Sequence, residues 1–451
     1  MKRRQALSTI LAAGSASILP RMTTSAPQVA ANDRVQVGVI GLGSRGFNLL
    51  DDLLALPDVE ITMISDLYSE HYRDREWGKG PRYGHEPARE KIQQHANRQR
   101  KSGTAQLSRN LTTTLAAWNP QALEGLDAVV IATPDHWHAT LTLLALRNGK
   151  AVYCEKPVTH TFAEGQAVYR EVAKQNAVFQ TGSQQRSEDV FQRAVNLIRN
   201  GHLGKVTRFE VGLPPGYDQA QGDPTVTEPP EGGSYNLWCG PAEPLPYMRA
   251  RHHRWWRGHR NFGGGVLMDW IGHHNDIAHW ALGFETSGPV KVEAKNWVMA
   301  ETPVYNTPHR YEIESTYANG TIGVVSDRFP IGTRFEGENG WVFVTRGKIE
   351  ASSQRWLAAD FETGSHDVMR SPGHMRNFID AVRFGKPTIA PAEQAHRSIT
   401  PGHLAYVSHA LQKPLQWDPE REVIAGDPAA DKLLKQSLDR DPAEWDFADE
   451  D

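Results

Sequence analysis

From Arg34 the chain runs through a β-branched stretch to Ile40, turns at Gly41-Leu-Gly-Ser-Arg-Gly46, and continues with apolar residues at helical spacing from Phe47 to Leu56, where Pro57 closes the run. This pattern predicts a strand, a glycine turn and a helix. A second strand is predicted over Val59–Ser65, ending at Asp66. After a polar interval the alternation resumes. A strand over Asp127–Thr133 leads to a helix over His138–Asn148. A strand over Lys150–Cys154, a helix over Ala163–Gln175 and a strand over Val178–Gln180 follow. Strands that alternate with helices imply a parallel sheet with right-handed crossovers.

The texture changes after Gly182. A helix over Asp189–Arg199 leads into a strand over Lys205–Val211, and residues 212–265, rich in Gly, Pro and Trp, predict long loops. β-like segments at Val290–Val298, Tyr311–Tyr317, Thr321–Ser326 and Gly340–Thr345 come without helices between them, which predicts an antiparallel sheet. Two helices follow, His374–Arg383 and Ala392–Leu411; in the first, Met375, Phe378, Ile379 and Val382 share one face. The polar interval, 68–110, reads as a basic surface insertion with one or two helices, for example Pro87–Arg100. Its alternative reading is a flap over a bound ligand. No internal repeat is visible.

A length of 451 residues suits two domains. The net charge of −4 lacks the basic excess of a nucleic-acid binder. Beyond the N-terminus no apolar run approaches a membrane span. Two cysteines, Cys154 and Cys239, make no disulfide framework, and Cys154 reads as a small buried hydrophobe. Residues 1–31 read as a leader: Lys2, Arg3 and Arg4 precede a weakly apolar stretch from Ala6 to Leu19 and small residues up to Ala31. Paired arginines in that setting resemble a twin-arginine signal and predict export of an already folded protein; the alternative is a disordered basic tail.

Gly41, Gly43 and Gly46 spell G-x-G-x-x-G between strand and helix, and Asp66 lies twenty residues beyond Gly46. The first glycine permits the turn, the second lets the backbone approach a pyrophosphate, and the third lets helix pack on strand. Asp66 can accept hydrogen bonds from a ribose, which favours NAD over NADP. A second constellation is Thr133-Pro134-Asp-His-Trp-His138 after one strand and Glu155-Lys156-Pro157 after the next. Both fall at carboxyl ends of strands, where open α/β sheets bind ligands.

This order of motifs resembles the glucose–fructose oxidoreductase, inositol dehydrogenase and rhizopine-catabolism (Gfo/Idh/MocA) family. Thr181-Gly-Ser-Gln-Gln-Arg-Ser187 and the run from Gly264 to Asp276 extend the resemblance over nearly the whole chain after the leader. It implies a Rossmann doubly wound parallel sheet over 32–182 and an α+β domain with a large, mainly antiparallel sheet over 183–451. The exposed face of that second sheet would serve a homo-oligomer. Cofactor contacts are expected from Gly41, Gly43, Ser44, Arg45, Gly46, Asp66, Thr133, Pro134, His138, Glu155, Lys156 and Gln185. The resemblance places Lys156 beside the nicotinamide and the substrate hydroxyl, and matches Asp269 and His273 to the family's paired acid and histidine.

The spacing of that pair has physical sense, because residues i and i+4 share one helix face and a carboxylate there can orient an imidazole. A satisfied structural pair is the alternative. His273, Asp276 and His279 would make a metal cluster only with a ligand from a second element, and none is evident, so no metal is assigned. Trp238, Trp255, Trp256 and Trp270 offer indole faces to a carbohydrate, or simply core. Arg186, Trp256 and His274 are the candidate substrate contacts, with a surface role the alternative for Arg186. The expected function is NAD(P)-dependent oxidation or reduction of a sugar or cyclitol carbinol on tightly held NAD. The rivals are an NAD-dependent glycosidase working by transient oxidation and elimination, a sugar–sugar transhydrogenase, and a non-catalytic dinucleotide- or sugar-binding protein.

Overall fold

The computed structural model describes residues 33–72, 81–101, 111–115, 117, 119–231, 233–438 and 440; the leader read at 1–31 lies outside them. The first half runs β1 (Val35–Ile40), α1 (Ser44–Leu54), β2 (Val59–Ser65), a small hairpin of β3 (His71–Tyr72) and β4 (Arg82–Tyr83), α2 (His85–Lys101) and β5 (Thr112–Thr114). It continues through β6 (Ala128–Ile131), α3 (His138–Arg147), β7 (Ala151–Cys154), α4 (Phe162–Gln175) and β8 (Phe179–Thr181). Six of these strands form a parallel sheet in the order β5-β2-β1-β6-β7-β8. Helices cover both faces, so β1 and β6 are continuous apolar runs with almost no alternation. Helix α4 begins at a reciprocal capping box between Thr161 and Glu164.

The polar interval is thus more than a surface insertion. It closes a hairpin onto the sheet's end, forms α2, and returns β5 as an edge strand beside β2. Thr112-Thr-Thr114 is too short and polar to announce itself, and only pairing with Met63–Ser65 makes it a strand.

The second half runs α5 (Asp189–Arg199), β9 (Val206–Gly212), α6 (Tyr235–Cys239), α7 (Gly265–Leu282), β10 (Pro289–Met299), β11 (Pro308–Tyr317), β12 (Ile322–Ser326), β13 (Gly332–Gly337), β14 (Gly340–Thr345) and β15 (Lys348–Ala351). Helices α8 (His374–Phe384) and α9 (Ala392–Leu411), strands β16 (Leu415–Asp418) and β17 (Val423–Ile424) and helix α10 (Pro428–Leu434) end it. Its nine-stranded sheet has the order β15-β14-β13-β9-β12-β11-β10-β16-β17, antiparallel except where β9 lies parallel to β12. Helix α7 is buried along most of its length between this sheet, α5 and α9. One element departs from a linear division into domains. Met375, Phe378 and Ile379 of α8 pack with Val37, Leu49 and Leu50, so α8 crosses back to cover the first sheet. Its predicted apolar face is real, but the surface it meets was contributed about 330 residues earlier. Among the described residues no helix is long and apolar enough to cross a membrane.

Candidate active site

A cleft of about 840 Å³ opens at the carboxyl ends of the first sheet's strands, and its far wall is α7 with the 212–264 loops. At one end lies the glycine turn. Gly41 has φ +86°, and a Cβ there would sit 2.6 Å from Thr133 N. A Cβ on Gly46 would meet the Gly41 carbonyl oxygen at 2.0 Å, so α1 can lie against the turn only without one. Gly43 differs: the nearest atom to its added Cβ would be His71 Cε1 at 3.9 Å. Its bare surface faces the cleft at the start of α1, a helix whose N-cap uses no side chain. Unclaimed helix N–H groups beside open space fit a pyrophosphate.

Asp66 closes this end. Its Oδ2 accepts from Leu42 N at 2.7 Å and its Oδ1 from Tyr68 N at 3.0 Å, with His71 Nε2 at 3.7 Å. Burial works to push the carboxyl up, yet His71 and the two backbone donors hold it below the usual range. A carboxylate kept charged beside the turn fits a ribose diol and opposes a 2′-phosphate. Nearby, Thr133 Oγ1 is buried with no hydrogen-bond partner among the described residues. Together, the bare Gly43, the charged Asp66 and this orphan hydroxyl fit a bound NAD.

The loops after β6 and β7 are tied to each other and to the far wall. His138 sets Nδ1 at 2.7 Å from Pro157 O and Nε2 at 3.1 Å from Thr133 O. Burial lowers its pKa to about 4, so this ring is a brace between loops, although its edge lines the cleft. His136 Nε2, at 2.8 Å, and Trp137 Nε1, at 3.0 Å, both reach the carbonyl of Trp238 and pin the far wall down. Glu155 is buried; Arg45 Nε donates to it at 2.7 Å and Gln184 Nε2 at 2.8 Å. Ser44, Arg45, Pro134 and Glu155 line the cleft; Gly46 acts from behind, through packing.

At the other end Lys156 Nζ donates to Asp269 Oδ1 at 2.5 Å and to Asp269 O at 3.0 Å. Arg257 Nε lies 3.0 Å from the same Oδ1. Burial acts to raise the Asp269 carboxyl, but Arg257 and Lys156 hold it below its ordinary value. One turn on, His273 lines the cleft, its Nδ1 without a hydrogen-bond partner among the described residues. Burial, then the charges of Lys156 and Arg346, push its pKa well down, so the imidazole is neutral and fit to accept a proton. Asp269 therefore pairs with Lys156 and Arg257 instead of with His273. The i, i+4 spacing places carboxylate and imidazole on one wall without a bond between them.

Behind Arg257 sits Asp135, fully buried, its Oδ1 3.7 Å from the guanidinium and neither oxygen hydrogen-bonded among the described residues. Burial pushes this carboxyl up to about 7.

Trp256 lines the cleft, with the Arg257 guanidinium 4.1 Å above its ring centroid, and Trp238 and Trp270 line it too. Two other candidates fall elsewhere. Arg186 is buried: Nε and Nη2 each lie 2.7 Å from a different oxygen of Asp276, and Nη1 donates to Gln394 at 2.7 Å and Glu285 at 3.2 Å. All its donors serve the interior, so it is a structural cation and no substrate contact. His274 lies buried behind Trp270, its ring stacked at 6.2 Å, and does not line the cleft. The metal reading also dissolves, because Asp276 is occupied by Arg186 and His279 Nε2 lies 2.8 Å from Tyr317 Oη. Among the described residues no group of three ligating side chains is placed to hold a metal.

Sequence reasoning missed Tyr217, His71, Tyr83, His253, Arg257 and Arg346, all lining the cleft. They stand in a loop, a short hairpin, a six-residue 3-10 helix (His253–Gly258) and a strand turn, all too short for periodicity to mark a side chain as inward. Gln185, read as a cofactor contact, carries a second duty: with its amide turned so that each end meets a complementary partner, its nitrogen donates to His273 O at 2.8 Å and its oxygen accepts from Arg346 Nε at 3.2 Å.

A nucleotide cradle that shares one cleft with a neutral imidazole and a lysine–carboxylate pair is the equipment for moving hydride and proton from a carbinol. The fold and site thus define a nicotinamide-dependent oxidoreductase. Residues 35–183 match the family model described as "Oxidoreductase family, NAD-binding Rossmann fold". Residues 193–446 match its companion, "Oxidoreductase family, C-terminal alpha/beta domain". The chain belongs to the Gfo/Idh/MocA oxidoreductase family and is an NAD-binding enzyme.

Among its relatives is scyllo-inositol 2-dehydrogenase (NAD(+)) of Bacillus subtilis, 25% identical over 66% of this chain and 79% of that one. Myo-inositol 2-dehydrogenase of Thermotoga maritima is 22% identical over 82% of this chain and 95% of that one. The fold is shared with the WlbA dehydrogenase from Bordetella pertussis, solved in complex with NADH and UDP-GlcNAcA. That structure has a TM-score of 0.57 and 16% identity, covering 85% of this chain and 99% of that one.

Proposed function

We propose that the protein oxidises or reduces a carbinol of a sugar or cyclitol and retains its NAD through the cycle. The observation that carries this reading is the convergence of Lys156, Asp269 and His273 with the indole faces of Trp256 and Trp270 at one end of the cleft that holds the glycine turn at the other. Bound NAD supplies the hydride acceptor. The Lys156 ammonium, fixed by Asp269, hydrogen-bonds the substrate oxygen, and neutral His273 takes the hydroxyl proton. Arg257 keeps Asp269 charged, and the indoles present flat apolar faces to ring C–H surfaces. The inositol dehydrogenases among the relatives support a polyhydroxylated ring as substrate.

Retention is supported by the far wall. Tyr217, Trp238, His253 and Trp256 line the same cleft as Gly41, Gly43 and Asp66, so the second half of the chain roofs the nucleotide. The Lys2-Arg3-Arg4 leader supports export after folding, and outside the cytoplasm a dinucleotide must be recycled in place. That combination favours as second reading a cycle in which the hydride returns, either to another sugar or to the same one after elimination of a glycosidic substituent. Val298 and Met299, exposed on β10, support self-association through the second sheet.

The test is chemical. Protein purified without added nucleotide is denatured and its supernatant analysed by mass spectrometry, and the intact protein is then assayed on hexoses, cyclitols and aryl glycosides deuterated at single carbons. Bound NAD and label transfer without added cofactor are expected. A protein that purifies empty and consumes free NAD stoichiometrically would refute recycling while leaving the dehydrogenase reading intact.

A further inference from the structure

The cations of the cleft differ in what they already hold. Arg45 is engaged by Glu155, and Lys156 and Arg257 share Asp269. Arg346, on the turn between β14 and β15, is in another state. Its Nε donates to Gln185, and its guanidinium lies 5.1 Å from the Trp270 ring centroid. Two contacts therefore fix the group's position, and neither neutralises it. Among the described residues no carboxylate lies within 4.0 Å of it. Its charge reaches Asp269, already held by Lys156 and Arg257, and Glu188, on the same wall, whose carboxyl burial pushes up even though Arg346 pulls it down. A second exposed cation, Arg254, stands on the far wall over Trp255 at 4.7 Å, also without an ion pair among the described residues.

Gln185 gives Arg346 its place relative to the chemistry. The same amide that accepts from Arg346 donates to the backbone of His273, so the guanidinium stands one side chain away from the proton acceptor. With Nε spent, the two terminal nitrogens remain, and a planar pair of donors matches a carboxylate end-on. An indole beside it continues the apolar platform on which a ring would rest.

We propose that Arg346 is an anion-recognition residue and that the substrate ring carries a carboxylate, as a uronic acid or its glycoside does. This rests on the oxidoreductase reading above and names the substrate class for the same site. The carboxylate lies across Trp270 against Arg346, and the carbinol to be oxidised points at Lys156 and His273. Arg254 adds positive potential at the mouth and draws the anion in.

The experiment uses the NAD-loaded full chain and matched probes: glucuronate with glucose, and methyl glucuronide with methyl glucoside, followed by calorimetric binding and by turnover. The acid member of each pair is expected to bind about tenfold to a hundredfold more tightly, since a charge-assisted pair is at stake. The preference should be lost in Arg346→Gln, partly regained in Arg346→Lys, and untouched in Lys348→Gln, which removes a neighbouring cation outside the cleft. Equal binding of acid and neutral sugar, no binding of either acid at millimolar concentration, or a preference that survives Arg346→Gln overturns the proposal. Tighter binding of glucose 6-phosphate than of glucuronate overturns the carboxylate in favour of a larger oxyanion. Hydride transfer from neutral sugars alone would sink this inference and keep the dehydrogenase; failure to transfer hydride from any probe, with NAD bound, would count against both.

Discussion

The two ends of the cleft are built on different principles. The nucleotide end is made of backbone: a turn at Gly41, a bare Gly43, a helix start and a carboxylate fixed by Leu42 N and Tyr68 N, all within about thirty residues. The end proposed for catalysis is made of long charged side chains brought from four separate stretches: Lys156, Arg257, Asp269 with His273, and Arg346. The first end is specified by the absence of side-chain bulk and fails when atoms are added. The second is specified by balanced charge in a poorly solvated place and fails when one charge is removed.

The difference can be broken most sharply at the catalytic end. His273→Ala and Lys156→Ala are each expected to lower kcat by about 10²–10⁴-fold, the usual worth of acid–base assistance, while dinucleotide binding measured by fluorescence titration stays close to native. Parallel loss of NAD affinity in both would show that the two ends are not separable.

Arg186 tests a charge of the same kind placed outside the cleft. Arg186→Met leaves Asp276 buried and unpaired, which costs about 3–5 kcal/mol of stability, read from denaturant midpoints. A variant of native stability with a raised KM would return Arg186 to the substrate site.

Asp135 gives the pH dependence. Its folded pKa of about 7 lies above the ordinary 3.8. Its contribution is therefore fully present below that ordinary value and is lost as pH rises through 7. Asp135→Asn removes that loss, so the variant's unfolding free energy relative to the native chain, read from denaturant midpoints, should improve as pH is taken from 5 to 8 by on the order of 2 kcal/mol. A pH-independent difference would show that Asp135 is already ionised beside Arg257.

The smallest effect belongs to the nucleotide end. Gly43→Ala adds a methyl where no neighbour lies within about 3.9 Å, so stability should hold while NAD affinity falls about tenfold through lost backbone approach. Gly41→Ala, at φ +86° against Thr133 N, should lose both. Equal behaviour of the two would mean that the turn is structural only.

The amino-acid sequence by itself determined the nucleotide end and most of the first sheet. The glycine spacing, Asp66 and the apolar runs of β1, β2, β6 and β7 act over short separations, where turn geometry and periodicity decide the outcome. It also put Lys156, Asp269 and His273 within reach of inference through the family resemblance their motifs carry, with which strand-end position and helical spacing agree. Tertiary structure alone decided which charges meet. Nothing in Arg186 and Asp276, ninety residues apart, distinguishes a buried pair from a substrate arm. Nothing in Arg257 or Arg346 marks them as cleft residues, since a 3-10 helix of six residues and a strand turn are too short to carry a period. Strand β5 and the return of α8 to the first sheet were equally hidden, for a related reason. A three-residue edge strand and a helix's choice of surface are set by the partner each meets, and that partner is supplied from elsewhere in the chain.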